Sequence, residues 1–233
     1  MKSLGTIQIR DAKIALIQIT PQAEKHIEFC ARFCYNSLDK MTDDSHVRFL
    51  RSTLKRGHFS ILSHAHATFM VENVSRACSH QLVRHAHLRY LQKSQRYCLE
   101  EDFKFIVPPD VHLQSACEVL QSADHTAFDV LEDSCYTGWD NYKQLLKRNI
   151  KREDARYSLT NACATNIVIS GTLQGWWDFL RLRLDKHAQW EIRMVAQAIY
   201  QLLNQQCPHI FNTELLIVQP KLNLDFPEEE EDG

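Results

Sequence analysis

The stretch RHAHLRYLQKSQRY, Arg84 to Tyr97, carries four cationic side chains (Arg84, Arg89, Lys93 and Arg96) and two imidazoles (His85 and His87) within fourteen residues. That density suits an anion, because a planar guanidinium gives two parallel hydrogen bonds to a phosphate or carboxylate. A solvated helix face has the same composition, so the rest of the chain has to decide. Arg76, His80 and Arg84 recur every fourth residue, on one face of an expected helix from about Val74 to His85. Arg156 in NIKREDAR and Arg183 in FLRLRLDKHAQWEIR have apolar flanks, which predicts partial burial and a planar acceptor such as phosphate, carboxylate or a uracil edge. A salt bridge from Arg156 to Glu153 or Asp154 satisfies the same residues. Ser94 lies between cations, where its hydroxyl can bond an anion; as a nucleophile it would need a positioned base. His58 and His64, in GHFSILSHAH, follow Gly57 at an expected helix end, a loop edge of the kind that carries function.

The chain has only six glycines and no G-x-G-x-x-G or G-x-x-x-x-G-K motif. A nucleotide therefore has to be held by side chains, not by a Gly-rich backbone loop. A net charge of -2 argues against a general nucleic-acid binder, which needs an excess of Lys and Arg over a broad surface. No metal site is expected: Cys30 and Cys34 have no second pair at zinc spacing, and His64 and His66 have no third ligand. The eight cysteines read as small buried hydrophobes of a reducing compartment, and nothing near Cys207-Pro208-His209 would activate its thiol. The N-terminus lacks an unbroken apolar run, so neither a signal peptide nor a membrane span is expected, and the chain reads as cytoplasmic.

With 233 residues, 44% of them hydrophobic, one sizeable core and a single domain are expected. KIALIQI predicts a strand over residues 13–19, and Thr20-Pro21 the cap and first residue of a helix with Ala23, Ile27, Cys30, Ala31 and Cys34 on its buried stripe. Ser45 is expected to cap a second helix ended by Gly57, and alternation from Ala65 to Val71 predicts a half-buried strand. Pro108-Pro109 precedes a helical region to about Arg148, with Val119, Leu120, Phe128, Leu131, Tyr142, Leu145 and Leu146 as scaffold. One long helix is expected from about Trp176 to Leu203. The end, PEEEEDG, reads as an acidic, disordered tail over residues 221–233.

GHFSILSH, VSRACSHQLVRHAHLRYLQKSQRY, REDARYSL and FLRLRLDKHAQWEIR, in this order, together resemble the flavin-dependent thymidylate synthase family over roughly residues 10–212. The resemblance implies an α+β single domain over residues 1–220 with an antiparallel or mixed sheet and long helices. It also implies a cytoplasmic homotetramer with shared active sites and no nucleic-acid or membrane partner. The implied activity is that of a methyltransferase making dTMP from dUMP, with methylenetetrahydrofolate as carbon donor and NADPH-reduced FAD as hydride donor, and with no cysteine nucleophile. Matched residue by residue, Gln81, Ser94, Gln95, Arg96, Arg156 and Arg183 stand as dUMP contacts. His58, Ser60, Arg84, His85, His87, Arg89, Thr172, Gln174 and Asp178 stand as FAD contacts, and Arg183, Ser94 and His58 are nearest the chemistry.

The family signature reads approximately R-H-R-x-x-S-x-x-x-x-S-x-R-Y, and this chain has Ala86 for its inner Arg, Arg89 for its inner Ser and Leu91 at a usually polar place. Thr172 and Gln174 lie where many members carry Asn and Arg. Two further readings follow: a paralogous flavoenzyme with another one-carbon outcome on a pyrimidine nucleotide, and a dUMP-binding homologue without catalysis. If position 86 to 89 is tightly turned, the guanidinium of Arg89 reaches the place served from 86; otherwise Arg89 faces solvent.

Overall fold

Period-two burial in HATFMVENVS and ATNIVISGT builds the middle of the fold: Ala67, Phe69 and Val71 of the first, and Thr165, Ile167 and Ile169 of the second, are buried. The computed structural model describes residues 3–99, 103–121, 124–212 and 216. Its strands are β1 (Gly5–Ile9), β2 (Ala12–Ile19), β3 (His66–Ser75), β4 (Leu88–Gln92) and β5 (Ala164–Thr172). They form an antiparallel sheet in the order β1-β2-β3-β5-β4. The helices are α1 (Ala23–Cys34), α2 (Ser45–Lys55), α3 (Arg76–Leu82), α4 (Pro109–Leu120), α5 (Ala127–Lys147), α6 (Arg152–Ala155), α7 (Leu173–Arg183) and α8 (Trp190–Gln206). The α+β class is as expected, and the acidic tail over 221–233 lies outside the described residues. The chain divides into two compact units, the first from the described parts of 1–7, 16–69 and 170–233 and the second from 8–15 and 70–169.

In the first unit, Thr20 does not cap α1. Its amide donates to the His66 carbonyl at 2.9 Å and its hydroxyl accepts from the His66 amide at 2.9 Å, so Thr20 continues the pairing of β2 with β3. The turn into α1 falls instead to Gln22 in the left-handed region, and the helix begins at Ala23. Ala23, Ile27 and Ala31 are buried as expected, but Cys34 is exposed. Asp44, not Ser45, stands at the α2 N-cap, while the Ser45 hydroxyl donates to the buried Glu28 carboxylate at 2.8 Å. Gly57 ends the segment at φ 82, a conformation open to glycine without Cβ strain.

The expected long terminal helix is two. Asp185 Oδ1 accepts the His187 amide at 2.8 Å, and Gln189 Oε1 accepts the amides of Glu191 and Ile192 at 3.0 and 3.2 Å, so residues 184–189 end α7 and cap α8. Phe69 packs edge-on to Trp176 at 4.9 Å, and the Trp176 indole donates to the Ala67 carbonyl, which fixes α7 on β3 within this unit.

In the second unit, β3 runs through Ser75, whose hydroxyl accepts the Cys78 amide at 2.9 Å and starts α3 later than expected. The helix also ends early, at Leu82, so Arg84 is not on the helical ladder of Arg76 and His80. Thr126 and Asp129 form a reciprocal capping box at the start of α5. On α4, Val119 and Leu120 are exposed, against the expectation that they belong to the scaffold stripe. Phe103 stacks on Trp139 at 5.2 Å, and Trp139 on the buried Tyr142 at 5.4 Å. A Cβ on Gly138 would lie 2.5 Å from the Ser158 carbonyl oxygen, and Ser158 Oγ donates to the Gly138 carbonyl. That close approach presses α5 against the turn that carries Arg156.

Candidate functional site

Within the second unit, α3, the turn after it and β4 are one continuous piece of chain that carries Arg76, Arg84 and Arg89. Leu88 N donates to the His85 carbonyl at 3.0 Å, closing a turn over 85–88. Arg89 Nη1 donates to the carbonyls of Ala86 and Leu88 at 2.8 and 3.0 Å, and the Tyr90 hydroxyl donates to the His85 carbonyl at 3.0 Å. Burial pushes the Tyr90 phenol well above its usual range, with Arg89 opposing, so it stays a donor. Arg84 and His87 are exposed and His85 is half-buried.

β4 is held from its side chains inward: Gln92 Nε2 donates to Ser79 Oγ at 2.9 Å and Thr165 Oγ1 at 3.2 Å, and Lys93 N donates to the Asn166 carbonyl. The chain then turns on Ser94, whose carbonyl accepts the Cys98 amide at 2.9 Å and whose hydroxyl accepts the Arg96 amide at 3.3 Å. Gln95 is buried, with Nε2 at 3.7 Å from the Cys163 sulfur. Arg96 Nε donates to Glu153 Oε2 at 2.8 Å, and Arg156 Nε donates to the Glu153 backbone carbonyl at 3.1 Å. Arg152 reaches back to the Tyr97 carbonyl. Glu153 thus joins Arg96 and Arg156, by its carboxylate for one arginine and its carbonyl for the other, and Ser94 adjoins them through the Arg96 amide. The alternative of a salt bridge from Arg156 to Glu153 or Asp154 is replaced by a contact with the Glu153 carbonyl. Arg156 is half-buried, as its flanks predicted.

The first unit positions the remaining residues. His58 and Ser60 are exposed on a 3-10 turn, Phe59–His64, that packs on α7 through Phe59 against Trp177 at 5.2 Å. Ser63 Oγ donates to Gln174 Oε1 at 2.5 Å, and Leu173 N donates to the Ala65 carbonyl. Thr172 is the α7 N-cap: its hydroxyl oxygen accepts the Gly175 amide at 3.0 Å, so its O–H remains as a donor. The turn that follows His58 and contains Ser60 therefore packs on α7 through Phe59, Ser63 and Ala65, beside Thr172 and Gln174, with half-buried Asp178 one turn further on. Arg183 stands in the last turn of the same helix, nine residues beyond Gln174. At 1.5 Å per residue that is roughly 13 Å along the axis, so Arg183 stands at the opposite end of α7 from Thr172 and Gln174.

Residues 15–209 match the family described as thymidylate synthase complementing protein. A flavin-dependent thymidylate synthase from Mycobacteroides abscessus is 36% identical over 195 residues, 79% of this chain and 77% of that one. Its counterpart in Geobacter sulfurreducens is 36% identical over 207 residues, 85% of each chain, and that of Mycobacterium tuberculosis 35% over 192 residues, 79% and 77%. The chain belongs to the flavin-dependent thymidylate synthase family.

The family's signature departures have a structural reading. Position 86 lies in a turn, not a helix, and Arg89 is the first residue after the turn's closing bond. Arg89 folds back so that its guanidinium lies against the Ala86 carbonyl, although its residue as a whole is exposed. Leu91 is exposed at 79% on the outward side of β4, so its side chain does not pack in the core. Glu153 and Arg152 were not singled out from sequence as site residues. The signal for Glu153 was present: two carboxylates, Glu153 and Asp154, between two arginines in REDAR, downstream of a cationic run without carboxylates.

The thiols are split. None of the eight is in a disulfide; Cys78, Cys135, Cys163 and Cys207 are buried as expected, whereas Cys34, Cys98 and Cys117 are exposed and Cys30 half-buried. Burial, with the Glu24 carboxylate adding to it, pushes the Cys207 thiol up to about 12, and burial raises Cys135 against a hydrogen bond with Thr160. Neither is a thiolate near neutrality. Among the described residues, no helix is long and apolar enough to cross a membrane.

Proposed function

We propose that this chain converts dUMP to dTMP as a homotetramer with shared active sites, taking one carbon from methylenetetrahydrofolate and using NADPH to reduce bound FAD. The observation that carries this reading is the meeting of Arg96 and Arg156 on Glu153, with the Ser94 hydroxyl on the Arg96 amide, in a chain of this family. Two guanidiniums and a hydroxyl suit the dianionic 5'-phosphate of a nucleotide. They fix the substrate, and fixing a poor nucleophile in line with its partner is itself catalytic. Gln81 and Gln95 complete the contacts to dUMP. Arg183 takes the pyrimidine edge, where a guanidinium favours a polarised or N3-deprotonated ring with more electron density at C5.

The donor set fits a flavin nucleotide. Exposed Arg84, His87 and Arg89 on one turn, with His85, suit an anionic diphosphate, and His58, Ser60, Thr172, Gln174 and Asp178 offer imidazole, hydroxyl, amide and carboxylate groups around the α7 N-terminus. When bound, FAD supplies the hydride that turns the transferred carbon into a methyl group. The test is the purified chain with dUMP, methylenetetrahydrofolate, FAD and NADPH, followed by dUMP-dependent NADPH oxidation and chromatography of the nucleotide. Another modified pyrimidine as product would favour a paralogous chemistry, and dUMP binding with no product would favour a non-catalytic homologue.

Two expectations follow from the thiols and from Arg89. Cys98→Ala and Cys207→Ala each retain dTMP formation within a few-fold, since Cys207 is protonated and no step needs a thiol adduct. Loss of turnover in a folded, flavin-loaded Cys98→Ala protein would refute that. Arg89→Ser weakens FAD binding by about 1–3 kcal/mol, the range for a charge-assisted hydrogen bond, and adding Ala86→Arg recovers much of it. Flavin fluorescence titrations of apo-protein read both, and unchanged affinity in Arg89→Ser means that Arg89 only braces the turn.

A further inference from the structure

The turn Cys207-Pro208-His209, which the proposed reaction does not use, brings His209 to two helix starts in the first unit. Glu24 is the second residue of α1 and His46 the second residue of α2. Their ligand-type atoms and that of His209 all lie within 4.8 Å of one another. His209 Nδ1 is 2.7 Å from Glu24 Oε2, and His46 Nε2 is 4.0 Å from the same oxygen. The two imidazoles meet edge to face with centroids 5.9 Å apart.

We propose that Glu24, His46 and His209 form a binding site for one divalent transition-metal ion, zinc in the first place. The donor set is two imidazoles and a carboxylate, which suits zinc and its neighbours; calcium and magnesium ask for oxygen throughout. Zinc sits about 2.0–2.2 Å from nitrogen and carboxylate oxygen, so tetrahedral ligand atoms are about 3.3–3.4 Å apart. The 4.0 Å from His46 to Glu24 is too long for a hydrogen bond and within what a shared ion spans. The 2.7 Å from His209 to Glu24 is the length of the hydrogen bond whose proton the ion replaces.

His46 is the residue that the protein alone leaves unexplained. Its Nε2 makes no hydrogen bond at 4.0 Å, and its Nδ1 is buried without a partner among the described residues. An ion between Nε2 and the carboxylate gives that nitrogen the partner that 4.0 Å denies it and leaves Nδ1 as the ring's N–H. Glu24 is already aimed: its Oε1 is fixed by the His209 backbone amide at 2.8 Å, leaving Oε2 to the cluster. Its side chain is 10% exposed and that of His46 15%, whereas His209 is 37% exposed and gives an entry path. The ion would clasp the first turns of α1 and α2 to the segment after α8.

The test uses the full chain, stripped with a chelator and titrated with zinc chloride by calorimetry. One zinc per chain is expected, with a rise in melting temperature that grows with zinc concentration. His46→Phe keeps the ring shape and removes both nitrogens; it should weaken zinc binding at least about tenfold and abolish the zinc-dependent rise, with the zinc-free melting temperature near the parent's. His209→Ala is the second variant should the first not fold. The cobalt-loaded parent should show d–d absorption without a thiolate charge-transfer band. No stoichiometric zinc, binding unchanged in the variants, or a thiolate band that assigns the ion to cysteines would overturn the site.

Discussion

Arg183→Ala is expected to lower kcat for dTMP formation by roughly 100- to 1,000-fold, the range for removing one donor aimed at developing charge. The size matters because it has to be told apart from a structural loss. Arg183 lies in the last turn of α7, where a cation favours the helix dipole, so the melting temperature of each variant is read beside its rate. Arg181 stands in the same turn and is exposed, which makes Arg181→Ala the control: the same loss of charge at the same helix end, with activity within a few-fold of the parent. Steady-state rates with dUMP varied separate the outcomes. A fall in kcat with a modest change in KM assigns Arg183 to the reacting ring, whereas a rise in KM alone assigns it to ground-state binding. Parental rates in Arg183→Ala would make it a helix-end residue and remove it from the site.

The sequence carried the middle of the sheet and the motifs; it did not carry the places where a side chain overrules a local signal. The alternation of Ala67, Phe69 and Val71 was readable because burial alternates with the pleat, and that of Thr165, Ile167 and Ile169 is equally regular but was not drawn out as β5. Thr20-Pro21 has the composition of a helix start, yet Thr20 bonds His66, forty-six residues away, and a pairing at that separation is invisible to local reading. The long terminal helix reads as continuous because LDKHAQ has no Gly or Pro. The break is made by Asp185 and Gln189 capping amides, a weaker signal than a helix breaker. The same holds for α3, whose shortness depends on Ser75 serving at once as strand end and cap.

Within the site, the residue types were legible and their partners were not. Ser94, Arg96 and Arg156 were drawn from their chemistry and from the resemblance, but nothing local ties Arg96 to Glu153 across fifty-seven residues. Gly138 shows the same limit from the scaffold side. It reads as an ordinary glycine inside a helix, and only the 2.5 Å approach of its absent Cβ to the Ser158 carbonyl shows that α5 fits the Arg156 turn because that position is empty.

Arg156→Ala and Glu153→Gln are expected to change dUMP affinity in opposite directions. Arg156→Ala removes a guanidinium from the phosphate and should weaken binding by about 1.5–3 kcal/mol, or roughly 10- to 150-fold. Arg96→Ala should do the same to a smaller extent, because Arg96 begins in an ion pair and the phosphate must draw it away. That pair is cheap to exchange: its side chains are 54% and 36% exposed, and a solvated pair contributes at most about 1 kcal/mol. Glu153→Gln keeps the backbone carbonyl that holds Arg156, and removes the charge that both competes for Arg96 and repels a dianion. Affinity should therefore hold or rise in Glu153→Gln. If the Arg96 and Glu153 contact were only a surface salt bridge, Arg96→Ala and Glu153→Gln would both leave dUMP affinity unchanged. Calorimetric titration of the four proteins with dUMP reads the signs directly, and a matched loss in Glu153→Gln and Arg156→Ala would mean that Glu153 itself contacts the nucleotide.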